Sequence, residues 1–423
     1  MNRPKSSRIV GFCVLAALAG SSRLALAQGL DCATPDNPNP VYMAGTTAVI
    51  PVIRLMGARL KKVGVTLLWN ENSEGCGSVY TLTRTTSAGQ RSVFTQYTED
   101  PNQPGKVYPT NCNGPLGKMP DLVINDVAWT SCAAAYSANP SAPPPPLPTG
   151  FAEFPGPVQG LVPIVAMGFI QYNDITVEEL ADLYICLSKG NILTFTSDQF
   201  IYDYNSVTSG MRELFARGLG LPNASQLVTG AGSTISAESM VTGCVSPATS
   251  PDQTIGYTST EYYDQYRDRV RALKVRGVNQ KLAYWPDSDM TTTDKLNMRE
   301  GRYTLQGPLR LVAAVDSNGV PTPEVAKHVI DWFQGNPVDP TLQLPFDINE
   351  IYAQRGVVPQ CAMKVKTDAD KPVFSHYSPP QPCHCSFQFL ATGKTSCVAC
   401  TGTDAAACPD KQVCSHGYCE PVQ

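Results

Sequence analysis

The sequence predicts an α/β fold with mixed or parallel sheets, followed by a small disulfide-rich module at its C-terminal end. Three observations predict it. From about residue 36 to 345, short apolar runs of strand type alternate with amphipathic runs of helical period. Polar, small-residue loops stand where these runs begin or end. Eight of the fifteen cysteines (Cys361, Cys383, Cys385, Cys397, Cys400, Cys408, Cys414 and Cys419) crowd into the last part of the chain.

Residues 1–27 read as a secretory signal. Arg3, Lys5 and Arg8 form a basic start, Ile9 to Gly20 an apolar stretch, and Ala25-Leu26-Ala27 a small-residue cleavage site. The apolar run is far shorter than the ~20 residues of a membrane span. Cys13 follows Phe12 rather than a small residue, so no lipid anchor is expected. Loss of the four basic residues of this segment leaves 28 basic against 36 acidic residues, a net acidic chain. That balance argues against nucleic acid or an anionic membrane as a partner. The expected location is outside the cytoplasm: periplasm, or cell surface and extracellular space.

The elements follow in order. Gly45-Thr46-Thr47-Ala48 precedes a helical run with Ile50, Ile53, Met56 and Leu60 on one face. Val63–Trp69 reads as a strand, and Gly75-Cys76-Gly77-Ser78 as a turn. Asp121–Ile124 is a strand ending at Asn125-Asp126. The proline-rich run Pro140–Pro148 is expected to be a stiff surface loop. Leu161–Phe169 is a strand. Thr176–Leu187 is a helix capped by Thr176, with Glu178 and Glu179 in its first turn. Thr208-Ser209-Gly210 stands before the apolar face of Met211, Leu214 and Phe215, a helix start whose unpartnered amides can hold an anion. Arg212, one turn in, is expected on a solvated face. Thr254–Tyr257 is a strand, continued by a charged helix over Thr258–Leu273. Leu309–Val315 is a buried strand, and Pro323–Phe333 a helix. In such folds ligands sit at loop–helix junctions at strand ends, so the four polar loops suggest one site assembled between two lobes.

This order of motifs resembles the phosphate-type solute-binding proteins of ABC importers, of the type II periplasmic binding protein fold. The stretches that carry the resemblance are Ala44–Pro51, Asp121–Asp126, Ile175–Tyr184, Ser209-Gly210, Ile255–Thr260 and Tyr303–Val312 followed by Ala326–Phe333. The resemblance implies a two-lobed domain over 28–345. Lobe one covers about 36–155 and 295–345, and lobe two about 160–290. A linker over 346–380 and a cysteine-rich tail over 381–423 follow. It also implies a hinged cleft that closes on a small oxyanion such as phosphate, and an ABC permease as partner. Carried over by position, Thr46 and Thr47 are donors of the first loop, and Gly77 and Ser78 fall at the second. Asp126 accepts the proton of a partly protonated oxyanion. Ser209 and the amide of Gly210 are helix-end donors, and Thr208, read from the residues alone, stands beside them as a further candidate. Asn205 stands where the family has an anion-pairing arginine, Val207 where it has that arginine's acidic partner, and Met211 where it has a threonine.

No cofactor and no catalytic residue is expected. The four histidines begin at His328, which reads as a helix-face residue and leaves no hydrolase triad. The tail's Cys-His-Cys and Cys-x-x-Cys spacings read as disulfides rather than metal ligands, given the export signal. A short segment with few large apolar residues needs such staples. The cysteines after Cys13 fall into even groups. Two bridges are therefore expected among Cys32, Cys76, Cys112 and Cys132, one between Cys186 and Cys244, and a self-contained set in the tail. The leading expectation is a non-enzymatic exported binding protein. The alternative is a cell-surface or extracellular scaffold that acts through its tail on envelope components, and a weaker third is activity on phosphate esters.

Overall fold

The computed structural model describes residues 30–84, 91–136, 146–185, 201–204, 206, 208–228, 237–245, 254–335, 344, 346–367, 370–401, 408–409 and 412–421. The expected signal segment, Asn205, Val207 and most of the proline-rich run lie outside them.

The first half is built as the apolar pattern requires. Strand β1 (Pro40–Gly45) leads into helix α1 (Ile50–Lys61), whose Ile53, Met56 and Leu60 are fully buried. Strand β2 (Thr66–Trp69) and helix α2 (Gly75–Arg84) follow, then the antiparallel pair β3 (Val93–Glu99) and β4 (Val107–Asn113). Strand β5 (Leu122–Asn125) lies parallel to β1 and hands over to helix α3 (Trp129–Tyr136).

Strand β6 (Phe151–Ala166) begins ten residues earlier than the sequence pattern suggested, because three prolines interrupt its apolar run. Strand β7 (Asp174–Thr176) and helix α4 (Val177–Ile185) follow, with Thr176 and Glu179 forming the expected cap. Helix α5 (Gly210–Gly218) has Ser209 as N-cap; α6 (Ala237–Val245), β8 (Ile255–Ser259) and α7 (Thr260–Gln265) come next. The charged helix expected over Thr258–Leu273 ends at Gln265. Its later residues form β9 (Val270–Ala272), which pairs with β6, and β10 (Lys274–Arg276), which pairs with β7. The sheet edges that β9 and β10 satisfy outweigh the helical pattern.

After α8 (Leu296–Arg299) the chain returns through β11 (Gln306–Val315), β12 (Pro321–Thr322) and α9 (Glu324–Gln334). The stretch expected as a linker carries α10 (Ile348–Arg355), with Ile351 and Tyr352 fully buried, and the hairpin β13 (Val365–Thr367) and β14 (Phe374–His376). Helix α11 (His384–Thr392) and the hairpin β15 (Gln412–Ser415) and β16 (Tyr418–Pro421) complete the tail.

The main sheet runs β4-β3-β2-β1-β5-β11-β6-β8, mixed in direction and flanked by helices. Strand β6 joins its two parts. Phe151–Gly160 pairs with β11, and Leu161–Val165 pairs with β8. One continuous apolar core extends from Val41 to Phe387 of α11. The tail is thus docked on the body: Arg299 donates to the His384 carbonyl at 3.0 Å, and Cys361 is bonded to Cys383.

Among the described residues six disulfides form. Cys32–Cys112 and Cys76–Cys132 pair the first four cysteines, Cys361–Cys383 ties the tail to the stretch before it, and Cys385–Cys397, Cys400–Cys414 and Cys408–Cys419 lie within the tail. Cys186 and the Cys244 side chain lie outside the described residues. The sulfurs of Cys400, Cys408 and Cys414 cluster closely, but each is consumed in a disulfide. No helix among the described residues is long and apolar enough to cross a membrane.

Candidate functional site

The first loop is shaped by Gly45. Its φ of +143° is open to glycine, and a β-carbon there would lie 1.9 Å from the Ile124 carbonyl oxygen. This close approach lets the Thr46 amide donate to that same oxygen at 2.9 Å. Thr46 is buried, and its hydroxyl accepts from the Ala48 amide at 3.2 Å, leaving Thr47 at the start of a short helical turn.

Asn125 and Asp126 end strand β5 beneath two helix N-termini. Asn125 is held by its amide nitrogen, which donates to the Val127 carbonyl at 2.6 Å and lies 2.9 Å from Cys132 Sγ. Asp126 is completely buried. Its Oδ1 accepts from Gln159 Nε2 at 2.7 Å, at the point where β6 passes from one part of the sheet to the other. Asn125 Oδ1 and Asp126 Oδ2 are buried and, among the described residues, make no hydrogen bond of good geometry. Burial pushes the Asp126 carboxyl up to about 6, against the downward pull of hydrogen bonding from Gln159 and Thr46.

Helices α2 and α5 point their N-termini at these two side chains. A β-carbon on Gly75 would lie 2.2 Å from Asn125 Oδ1, and one on Gly210 would lie 2.5 Å from Asp126 Oδ2. Only glycine permits this approach at both helix starts. Ser209 caps α5 by accepting from the Arg212 amide at 3.3 Å. The first-turn amides of Gly75, Cys76, Gly210 and Met211 make no hydrogen bond within the described residues. Unpaired amides at helix N-termini favour a negative group.

The cavity between these elements is lined by Thr46, Thr47, Glu74, Gly75, Tyr204, Ser206, Ser209, Gly210 and Met211. Its free space is about 10 Å³, roughly what one water needs. Of the residues singled out in the sequence, Thr46, Thr47, Ser209 and Gly210 meet here, and Asp126 abuts them. Gly77 and Ser78 do not line the cavity. They lie inside α2, and the Ser78 amide is spent on the Glu74 carbonyl at 2.8 Å. Thr208 turns its hydroxyl to the Glu74 carboxylate. Asn205 lies outside the described residues. Arg212 is not solvated: it is buried, and its Nε donates to Asp203 Oδ2 at 2.8 Å.

Sequence reasoning missed Glu74, Tyr204 and Ser206. Glu74 immediately precedes the Gly75-Cys76-Gly77-Ser78 turn, and Ser206 lies within the polar stretch ahead of α5, so their positions were legible. Their direction into the cavity was not. A second buried carboxyl, Glu261, lies at the start of α7. Desolvation, with a smaller contribution from the nearby Asp126 charge, pushes it up to about 8.

No family model matches the chain, and no curated protein matches it. Solved structures that are similar include an ABC-type phosphate transport receptor from Vibrio cholerae, with 15% identity, TM-score 0.43, and coverage of 76% of this chain and 99% of that one. A phosphate binding protein from Stenotrophomonas maltophilia has 11% identity, TM-score 0.44, and coverage of 78% and 91%. PstS from Borrelia burgdorferi has 14% identity, TM-score 0.38, and coverage of 76% and 98%. These neighbours are of the class that the sequence motifs resemble. At such TM-scores and identities, the likeness leaves ligand and role to the site itself.

Proposed function

We propose that this chain is an exported, non-enzymatic binding protein that takes a small oxyanion such as phosphate between its two lobes. The observation that carries the reading is the meeting of two helix N-termini, with unpaired amides, and the Thr46, Thr47 and Ser209 side chains around one fully buried carboxyl, Asp126. Amides and hydroxyls hold an anion without a cation, and burial strengthens each of those bonds. The Asp126 carboxylate is an acceptor, so the bound form must bring its own hydrogen. In this reading the cleft opens to admit the ligand, and delivery to an ABC permease is the downstream step. The very small free space favours a second reading, in which the fold serves as a surface scaffold and the docked disulfide-rich tail makes the contacts.

A thermal-shift and calorimetry screen of the secreted form against phosphate, arsenate, sulfate and small carboxylates tests the first reading. A protonatable oxyanion should raise the melting temperature by several degrees when present far above its Kd. No shift with any oxyanion would leave the scaffold reading.

A further inference from the structure

Glu74 is a carboxylate inside a site built for an anion. Its Oε2 accepts from the hydroxyls of both Ser206 and Thr208, which lie across the cleft on the segment leading into α5. The two hydroxyls are themselves 2.7 Å apart, forming a paired donor. The Glu74 carbonyl meanwhile accepts from the Ser78 amide, in the first turn of α2, at 2.8 Å, which ties the residue to that helix start. The carboxylate therefore sits beside two helix N-termini and takes hydroxyl donors from the opposite lobe, as a bound oxyanion would. With it in place, about 10 Å³ of free space is left, far too little for phosphate. Among the described residues that line the cavity there is no lysine, arginine or histidine.

From this geometry we infer that Glu74 is a specificity-determining residue that occupies the anion position itself, so that an external oxyanion must displace it. The inference rests on the oxyanion reading of this site. An entering anion has to take the Ser206 and Thr208 hydroxyls from Glu74 and stand beside both Glu74 and Asp126. Like charges brought together in a partly buried site oppose binding. The wild-type chain is thereby set against doubly charged anions and toward weak binding of singly charged, hydrogen-bearing ones.

The test is calorimetric titration of the full secreted chain, its Glu74→Gln variant and its Glu74→Ala variant with inorganic phosphate, at one pH and ionic strength. Glu74→Gln keeps the shape and an acceptor oxygen but removes the charge, so it serves if the alanine variant folds poorly. At least a tenfold gain in phosphate affinity in either folded variant is expected. Equal affinity in all three proteins would overturn the role of Glu74 while leaving the oxyanion site standing. Weaker binding in both variants would make Glu74 a supporting residue and overturn the inference. No binding in any of the three would overturn the oxyanion reading along with it.

Discussion

Arg212 Nε donates a 2.8 Å hydrogen bond to Asp203 Oδ2, and both side chains are buried. The Asp203 carboxylate also accepts from the Tyr257 hydroxyl at 2.5 Å, and Arg212 reaches the Leu227 carbonyl at 2.6 Å. This pair brackets the segment that carries Ser206, Thr208 and Ser209, and so fixes one wall of the site. Arg212→Met leaves Asp203 buried without its cation. The expected loss is about 3–5 kcal/mol, since an uncompensated buried charge is costly. The double change Asp203→Leu with Arg212→Met should cost less than the single one. Urea denaturation of the three proteins decides it, and an additive double mutant would refute the coupling.

The two helix-start glycines give a second expectation. Alanine normally stabilises a helix relative to glycine by about 1 kcal/mol. At Gly210 a β-carbon would meet Asp126 Oδ2 at 2.5 Å and Asn125 Oδ1 at 2.6 Å. Gly210→Ala should therefore destabilise the chain by about 1–3 kcal/mol, as overpacking does. A melting temperature equal to or above that of the wild type would show that the helix start does not press on Asp126.

Two buried carboxyls make stability depend on pH. Asp126 titrates near 6 in the fold against 3.8 as its ordinary value, and Glu261 near 8 against 4.5. In each case burial raises the folded value, so the folded state holds its proton longer than the unfolded chain. The stabilising contribution is full below about pH 4 and is lost as pH rises through 6 and then 8. For Asp126 alone this amounts to roughly 3 kcal/mol. The difference in stability between wild type and Asp126→Asn should therefore change across pH 4 to 6, and that between wild type and Glu261→Gln across pH 4.5 to 8. Parallel stability curves for wild type and variants would count against burial of these groups.

The Cys76–Cys132 disulfide joins α2 to α3 directly beside Asn125. It closes a loop of 56 residues. Replacing both cysteines by alanine should cost about 2–5 kcal/mol and loosen the Asn125 amide that contacts Cys132 Sγ. Amide exchange at Asn125 and Asp126 measures the second effect separately from global stability. Unchanged protection there would detach the disulfide from the site.

Much of this was legible in the sequence, for physical reasons. Helices such as α1 and α9 announced themselves through an apolar period of 3.6. The cap of α4 was visible as Thr176 followed by Glu179. The even grouping of cysteines matched the pairing among the first four and among the eight from Cys361 onward. Strand β6 was only half visible, because Pro155, Pro157 and Pro163 interrupt its pattern while long-range pairing with β11 and β8 still forms it. Arg212 was misread because a helix-face period does not show that Asp203, nine residues earlier, folds back to meet it. At the site, residue type at a helix start pointed to Thr46, Ser209 and Gly210. Glu74 escaped notice because its role depends on Ser206 and Thr208, more than a hundred residues away, and no local pattern records that meeting.

In the proposed function, the helix starts at Gly75 and Gly210 receive a small oxyanion. Two-dimensional amide NMR of the isotopically labelled chain from residue 28 onward, titrated with inorganic phosphate, is the decisive measurement. Saturable shifts should appear first at the amides of Gly75, Cys76, Gly210 and Met211, with one common Kd and in the Glu74→Gln variant at lower phosphate concentration. Phosphate that leaves these four amides unmoved in both proteins, while they remain folded, would contradict the account.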